Sequence, residues 1–288
     1  MPLPFSAIRE VFLDLDGTIY RGSTLFPTSG PFLEFLRKRG IGYAFLSNNS
    51  SCDPEELAER LTRLGIRSEA EEFYLSTDYA IDFLKREHPE IRRIFPLGTP
   101  CLERRFERGG FRIDREDPQA VIVGFDSLLT YETLCRAAWF LRKGVPGFAT
   151  HPDAYCPTDR STWLVDCGAI TACLECATGK KLRVLGKPDP GMLREAAKRR
   201  GVAPEVCLMI GDRLSTDIAL GSNAGAKTCW IATAGEEADL RGQKEIHPDL
   251  TVADLGELET LWARTDPEAD DSADFSGLSR SGKGEKAV

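Results

Sequence analysis

The chain has 288 residues, of which 42% are hydrophobic, so it can bury one large core or two modest ones, and we expect two domains. Its formal charge of -8 and the lack of a basic run argue against binding to nucleic-acid phosphates. No apolar run approaches the roughly 20 residues that cross a bilayer, and the first residues lack a signal-peptide pattern, so we predict a cytoplasmic protein without membrane contact.

The first predicted strand carries two acids at its end. EVFLDLDGTIY, Glu10 to Tyr20, is an apolar run broken by Asp14 and Asp16 and stopped by Gly17. Side chains at i and i+2 of a strand point to the same side, so both carboxylates would converge where the strand ends. Close carboxylates repel, which requires a proton, a cation or water between them. The alternative is that the two acids only cap a turn beside glycine.

The second predicted strand ends in YAFLSNNS, where polar side chains precede a helix. Ser47, Asn48 and Asn49 offer a hydroxyl and amide groups that can bind phosphate oxygens. As turn residues alone, they would not indicate a site. The helix that follows is predicted to have Asp53 as its N-cap and to end at Gly65.

The nine cysteines show no framework spacing, and we interpret them as reduced thiols. Cys173 and Cys176 form a single CxxC, with Cys156, Cys167 and His151 upstream. A zinc site there is the alternative. These spacings do not match the common zinc patterns, and small buried residues at helical spacing explain them better.

Two further motifs lie nearer the end of the predicted fold. LGKPDP places Lys187 between a glycine and a proline, where its ammonium could bind phosphate; alone, it would be read as a surface lysine. A helix is predicted from Asp189 to Gly201. CLMIGDRLSTDI then repeats the pattern of EVFLDLDGTIY, in which an apolar strand is followed by acids: here a glycine ends the strand, and Asp212 and Asp217 follow.

Short apolar runs alternate with helical periodicity along the chain, in VFLDLDG, IGYAFLSNN, VIVGFD and CLMIGD. Such runs are typical of parallel strands buried on both faces, and their alternation with helices predicts an α/β fold. Loops at the carboxyl ends of parallel strands meet in one crevice, so Asp14, Asp16 and Asp212 can come together. Oxygen ligands without His or Cys favour Mg²⁺ over zinc or iron.

Together these groups fit phosphoryl transfer. A carboxylate can attack phosphorus when Mg²⁺ and a lysine neutralise the phosphoryl oxygens, and water then hydrolyses the aspartyl-phosphate. A second acid can protonate the leaving alcohol and later activate the water. The residues alone do not show which of Asp14 and Asp16 attacks.

An ordered set of four motifs resembles the haloacid dehalogenase superfamily of phosphatases. The motifs are DLDGT (Asp14–Thr18), SNN (Ser47–Asn49), GKP (Gly186–Pro188) and GDRLSTD (Gly211–Asp217). DLDGTIYRG and SNN resemble in particular the NagD-like, para-nitrophenyl phosphatase branch. The similarity runs from about Glu10 to about Trp262.

The resemblance implies a Rossmann-like three-layer core with a parallel sheet, and an α/β cap inserted between the second and third motifs. The core would comprise residues 1–80 and 182–265, and the cap residues 81–181. Residues 266–288 are rich in Asp, Ser, Gly and Lys with hardly any large apolar side chain, so we predict a disordered tail.

By the same resemblance, Asp14 would be the nucleophile and Asp16 the general acid and base. Asp14, the main-chain carbonyl of Asp16 and Asp212 would bind Mg²⁺, and Asp217 would support the metal site. The residues expected to hold the phosphate are Ser47, Asn48, Asn49 and Lys187.

The cap departs from the family pattern in two places. ATHPDA has His151 where members commonly show Asn, and Val165, Asp166 and Cys167 stand where a Pro/Gly-rich loop is usual. Because the cap closes over the leaving group in this family, these differences bear on substrate choice rather than on phosphoryl transfer. We expect His151 to be structural, with contact to the substrate as the alternative.

The predicted function is Mg²⁺-dependent hydrolysis of a small phosphorylated metabolite through an aspartyl-phosphate. One alternative is phosphoryl transfer to a second substrate, as in a mutase. Another is a non-catalytic sensor of a phosphorylated ligand, which would be expected to have lost an Asp or the Lys. Sugar phosphates, nucleotides, phosphoglycolate and pyridoxal phosphate all fit as substrates, and the resemblance implies a homodimer through the cap.

Overall fold

The computed structural model describes residues 4–156, 162–232 and 246–265 of the chain. Its strands are β1 (Glu10–Leu13), β2 (Tyr20–Arg21), β3 (Thr24–Leu25), β4 (Gly42–Ser47), β5 (Phe73–Leu75), β6 (Arg93–Leu97), β7 (Arg112–Ile113), β8 (Ala120–Val123), β9 (Gly147–Ala149), β10 (Tyr155–Cys156), β11 (Leu164–Val165), β12 (Arg183–Val184), β13 (Cys207–Gly211), β14 (Lys227–Ile231) and β15 (Leu250–Val252). Its helices are α1 (Ser29–Lys38), α2 (Pro54–Arg63), α3 (Ser76–Glu87), α4 (Pro100–Arg108), α5 (Tyr131–Arg142), α6 (Cys167–Thr178), α7 (Pro190–Arg199), α8 (Ala219–Ala224) and α9 (Leu255–Thr265). Short turns of 3-10 helix occur at Phe5–Ala7, Ala70–Glu72 and Pro204–Val206, and a π-helical turn at Leu214–Ile218.

The first sheet has six parallel strands in the order β15-β14-β13-β1-β4-β5. Every residue of β1 and of β13 is buried, which explains why these strands are continuous apolar runs in the sequence. The strands predicted from VFLDLDG, IGYAFLSNN and CLMIGD are β1, β4 and β13, and these three are neighbours. Their carboxyl ends therefore lie side by side at one edge of the sheet.

Helices cover both faces of the first sheet, so this part of the molecule has three layers. Side chains of α1, α2 and α9 pack against one face, with Phe32, Leu57 and Trp262 among the buried residues. Side chains of α3, α7 and α8 pack against the other face, with Tyr79 and Met192 among them. The α/β fold class with a Rossmann-like parallel sheet is confirmed.

The two helices singled out in the sequence form as predicted. The backbone N–H of Asp53 donates to the Glu56 carboxylate (3.3 Å) at the start of α2. The Asp189 carboxylate accepts the N–H of Gly191 (2.9 Å) at the start of α7. Such caps satisfy donors that the first turn of a helix leaves free.

The second sheet has five parallel strands in the order β12-β9-β8-β6-β7 and is inserted between β5 and β13. VIVGFD supplies its central strand, β8. One face packs on α5 and α6, and residues of its other face share a buried cluster with α3 and α4. The predicted cap boundary at Ile81 falls inside the continuous helix α3, and β12, which we expected in the core, pairs in the second sheet.

The predictions for the tail and for the cysteines have different outcomes. The predicted disordered tail, residues 266–288, lies outside the described residues. All nine cysteines lie within them and are free thiols, but Cys173 and Cys176 are exposed on α6, so the interpretation of them as buried residues at helical spacing is wrong. Within the described ranges, no helix combines the length and the apolar character that crossing a membrane requires.

Candidate active site

A cavity of about 160 Å³ lies at the carboxyl ends of β1, β4 and β13, beneath the second sheet. Predicted site residues that line it are Asp14, Asp16, Ser47, Asn48, Asn49, Lys187 and Asp217. Phe125, His151, Asp153, Tyr155 and Asp166 line it from the inserted segment. The carboxyl ends of β1, β4 and β13 therefore bring together three of the motifs, and Lys187, which follows β12 of the second sheet, adds the fourth.

Three buried carboxylates, Asp14, Asp212 and Asp217, form what we call the carboxylate cluster. Each offers one oxygen atom, and these atoms lie within 4.8 Å of one another. Asp217 is thus part of the cluster through its own side chain. Three carboxylates so close repel strongly unless cations face them.

Glycines make room for this cluster. A Cβ atom at Gly17 would lie 2.0 Å from Asp212 Oδ2, and one at Gly211 would lie 2.3 Å from Asp217 Cβ. Gly17 also has a φ of +96°, a conformation that residues with a side chain rarely adopt. The glycines of the first and fourth motifs are therefore needed for the close approach of the acids.

Lys187 lies within this cluster. Its Nζ donates to Asp14 Oδ1 and to the carbonyl oxygen of Leu46 (3.1 Å), and it lies 2.7 Å from Asp217 Oδ1. The side chain is only 4% exposed. Burial by itself would lower the pKa of Lys187, but the two carboxylates outweigh it and raise the pKa, so the ammonium stays charged.

Asp14 is held in an unusual electrostatic state. Burial raises its pKa to about 7, the nearby charge of Asp217 raises it as well, and Lys187 opposes both effects. Lys187 contacts Asp14 and Asp217, and the charge of Arg213 acts on all three carboxylates, so two cations face three acids and one negative charge remains in excess. A divalent cation would remove that excess.

The cluster fits a hard divalent metal ion. Its donors are carboxylate oxygens on rigid elements, without sulfur or imidazole, which suits Mg²⁺ better than zinc. Among the residues that the structure describes, this is the group of three or more His, Cys, Asp or Glu that could hold a metal. Cys173 and Cys176 are exposed on α6, and within the described ranges they belong to no such group.

Asp14 and Asp16 differ sharply in surroundings. Asp14 is buried, whereas Asp16 is exposed to the cavity at the turn after β1. The turn is closed by the N–H of Gly17, which donates to the carbonyl oxygen of Tyr20 (2.7 Å). The two acids therefore face the cavity but do not play equivalent electrostatic roles.

The side chains of the SNN segment bond partly to Lys187 and Asp153 at the cavity and partly to backbone groups of their own turn. Asn48 Nδ2 donates to the carbonyl oxygen of Lys187 (3.1 Å) and to Asp153 Oδ2 (3.1 Å), and Asn48 Oδ1 accepts the N–H of Lys187 (2.8 Å). Asn49 Oδ1 accepts from the N–H and the hydroxyl of Ser51. The hydroxyl of Ser47 accepts the N–H of Asn49 (3.2 Å). The Asn48 amide thus holds the Lys187 backbone in place.

Residues that sequence reasoning did not single out connect the inserted segment to the core. Asp153 accepts from Asn48 and pairs with Arg213 (3.4 Å), and the N–H of Phe125 donates to Ser50 Oγ (2.9 Å). Arg213 directly follows Asp212, and Asp153 lies in ATHPDA, so both stand in quoted motifs. Nothing in the local pattern shows that they face each other.

His151 is buried and bonded within the inserted segment. Its Nε2 lies 2.9 Å from Asp166 Oδ1 and its Nδ1 lies 2.9 Å from Thr150 Oγ1. Asp166 in turn accepts the N–H of Cys167 (2.6 Å) at the start of α6. With both ring nitrogens engaged, His151 fits the structural role expected for it better than a direct contact with the substrate.

Comparisons with known proteins give a consistent result. A sequence model described as haloacid dehalogenase-like hydrolase matches residues 11–112, and one described as HAD-hydrolase-like matches residues 184–258. The acid sugar phosphatase of Staphylococcus aureus strain MRSA252 is 30% identical over 250 residues, which cover 86% of this chain and 96% of that protein.

Solved structures are similar over most of both chains. The 4-nitrophenylphosphatase of Thermotoga maritima has a TM-score of 0.82 and 36% identity, covering 89% of this chain and 98% of the other. NagD of E. coli K-12 has a TM-score of 0.79 and 27% identity, covering 87% of this chain and 98% of the other.

Proposed function

The chain belongs to the haloacid dehalogenase-like hydrolases and is a phosphatase, and we propose that it hydrolyses a small phosphate monoester with Mg²⁺ through an aspartyl-phosphate on Asp14. The NagD-like resemblance of its motifs is confirmed. The observation that carries the proposal is the buried contact between Asp14 and Lys187 inside the carboxylate cluster. A nucleophilic carboxylate needs such neighbouring cations when a phosphate dianion approaches.

In this proposal Asp14 attacks and Asp16 moves protons. An Asp14 carboxylate oxygen forms a bond to phosphorus while the bond from phosphorus to the ester oxygen breaks. Asp16 gives its proton to the leaving alkoxide, and it then takes a proton from the water that hydrolyses the acyl phosphate. The exposure of Asp16 supports this role, because a proton carrier must exchange with solvent, whereas buried Asp14 is shielded from it.

We propose that Mg²⁺ is held by Asp14, Asp212 and the main-chain carbonyl of Asp16, with Asp217 beside them. Bound there, the ion neutralises charge on the phosphoryl oxygens. The all-oxygen donor set and the raised pKa of Asp14 both support the need for a cation at this point. A non-catalytic sensor is disfavoured, because the acids and the lysine needed for catalysis are all present in one buried cluster.

The phosphate group would be held by Ser47, Asn49 and Lys187. Lys187 acts through its charge, since its Nζ already contacts Asp14, Asp217 and the carbonyl oxygen of Leu46. The Ser47 hydroxyl and the Asn49 amide supply hydrogen bonds at the cavity wall. Asn48, predicted to bind phosphate, has both N–H groups of its amide engaged by protein acceptors. Its contribution is therefore the position of Lys187.

The proposal also covers the domain bounds, the substrate class and the oligomeric state. We propose that residues 1–80 and 182–265 form the core and residues 81–181 the cap, with the helix α3 crossing between them and β12 extending from the core range into the sheet of the cap. Relatives named for sugar phosphates and for nitrophenyl phosphate support a small phosphorylated substrate. The homodimer through the cap rests on the resemblance, and light scattering checks it by a mass twice the 31.8 kDa of one chain.

Hydrolysis is tested with para-nitrophenyl phosphate and a panel of sugar phosphates in oxygen-18 water, with Mg²⁺ and with EDTA. We expect label in the released phosphate and loss of turnover in EDTA. Transfer of the phosphoryl group to a second alcohol, with no release of labelled phosphate, would establish a transferase instead. Full activity in EDTA would contradict the metal requirement.

A further inference from the structure

Two aromatic rings are stacked at the edge of the inserted segment. Tyr155 of β10 and Trp163, just before β11, have ring centroids 4.5 Å apart and ring planes 14° from parallel. The strands themselves pair antiparallel, with Tyr155 opposite Val165. Tyr155 is 47% exposed and Trp163 67% exposed. Exposed aromatic side chains next to a cavity are typical of a binding site.

The stacked pair is continuous with the candidate active site. Tyr155 lines the same cavity as Asp14 and Lys187, and Phe125 lines it as well. The floor of the cavity is therefore charged, and part of its wall on the cap side is aromatic. A phosphate bound over Asp14 would direct the rest of its ester towards that wall.

The polar side chains on the cap side are already bonded to protein partners. His151 is paired with Asp166, and Asp153 is bonded to Asn48 and Arg213. These groups are satisfied without a substrate. A ligand therefore contributes most binding free energy at the exposed aromatic surface, because stacking there removes apolar area from water.

From this geometry we propose that Tyr155, held by Trp163, is a stacking surface for the leaving group, so that the substrate is a phosphate ester with a planar aromatic or heteroaromatic ring. The inference rests on the proposed phosphatase function and narrows its substrate class. Tyr155 makes the contact, and Trp163 is a positioning residue that fixes the orientation of the tyrosine ring. A ring fixed in advance loses little conformational freedom on binding.

The first test compares an aromatic with an aliphatic substrate. For Tyr155→Ala, we expect the KM for para-nitrophenyl phosphate to rise about 3- to 10-fold with kcat nearly unchanged. The KM for glycerol phosphate should stay within about twofold, since it has no ring to stack. Tyr155→Phe keeps the ring and should restore the wild-type KM.

Positioning by Trp163 has its own variants and controls. Trp163→Ala should raise the KM for para-nitrophenyl phosphate in the same direction but less, and should spare glycerol phosphate. Tyr131→Ala and Trp139→Ala make the same chemical changes at exposed residues of α5 that do not line the cavity. Both controls should match the wild type on both substrates.

Binding without turnover separates this inference from the proposed function. Calorimetry with para-nitrophenyl phosphate and glycerol phosphate on the Asp14→Asn protein, with and without Tyr155→Ala, measures affinity alone. A selective loss of nitrophenyl affinity would support the stacking surface even if the wild-type chain hydrolysed neither ester.

Several outcomes would overturn the inference. Equal losses for both substrates, or no loss for the aromatic one in Tyr155→Ala, would mean that the ring is not recognised by stacking. A Trp163→Ala protein with a changed oligomeric state and parallel losses on both substrates would make the pair a subunit contact instead.

Discussion

Asp14 and Asp16 are two residues apart, yet burial separates their chemistry. Asp14 is buried beside Asp217, and the Lys187 ammonium stabilises its carboxylate. Asp16 is exposed to the cavity and can exchange protons with water. The alternation of a strand explains why both face the cavity. Only the surrounding elements explain why one fits a nucleophile and the other an acid.

Replacement of Asp16 tests its role as the proton donor. In Asp16→Asn, kcat for glycerol phosphate should fall by about 10²- to 10⁴-fold, because an alkoxide leaves poorly without a proton. Nitrophenolate is a stable anion, so the first step with para-nitrophenyl phosphate should suffer much less. Burst kinetics of nitrophenol release measure that step.

A matched control is available for this variant. Asp126→Asn makes the same change at a residue whose Oδ1 accepts the N–H of Leu128 (2.9 Å) in a turn, a bond that asparagine can also make. Asp126→Asn should leave the kcat for both substrates at the wild-type value. If Asp16→Asn slowed nitrophenol release as much as it slows glycerol phosphate turnover, Asp16 would have a role other than proton transfer.

The turn after β1 is the element on which the carboxylate cluster depends. Gly17 has a positive φ, and a Cβ atom there would meet Asp212 at 2.0 Å, a contact with no room to relax without moving the acid. In Gly17→Ala we expect kcat to fall by about 10²-fold, since a displacement of about 1 Å at a catalytic group has that effect. Steady-state kinetics over a range of Mg²⁺ concentrations measure it.

Gly65→Ala separates this steric effect from backbone strain. Gly65 has a φ of +102°, close to that of Gly17, but a Cβ there meets nothing within 4 Å. It should lose about 1 to 2 kcal/mol of unfolding free energy and keep its activity. Equal activity in the two alanine variants would show that the close approach to Asp212 does not matter.

The elements of the core could be predicted because their signals are local. Apolar runs gave β1, β4, β8 and β13, and the caps at Asp53 and Asp189 gave α2 and α7. Two-residue strands such as β10, β11 and β12 have no periodicity to detect, and they form because a neighbouring strand is already in place. A boundary between domains has no local signal either, because a single helix can belong to both, and the boundary predicted at Ile81 lies inside α3.

At the scale of the whole molecule, the contacts between the two sheets depend on residues far apart in sequence. Asp153 reaches Asn48 and Arg213, and Tyr155 reaches the cavity floored by Asp14. The sequence predicted that the floor of the cavity is charged, because Asp14 and Asp212 directly follow predicted strands and Asp217 lies in the turn after the second of them. It could not predict the wall, because no local pattern specifies which cap side chains face the core.

Metal binding should also be visible as stability of the whole fold. An ion that binds only the folded chain stabilises it, so Mg²⁺ at about 100 times its dissociation constant should raise the Tm by roughly 5 °C. Differential scanning calorimetry with Mg²⁺ and with EDTA measures the shift. In Asp212→Asn the shift should largely vanish, and a full shift in that variant would place the ion elsewhere.

The most direct test of Asp14 as the nucleophile is the rate of para-nitrophenyl phosphate hydrolysis by Asp14→Asn in saturating Mg²⁺. We expect a fall of at least about 10³-fold, because nucleophile removal leaves only binding and electrostatic contributions. The fold should persist, since Asp217 still lies 2.7 Å from Lys187, and circular dichroism checks it. A folded Asp14→Asn protein with wild-type turnover would contradict the account.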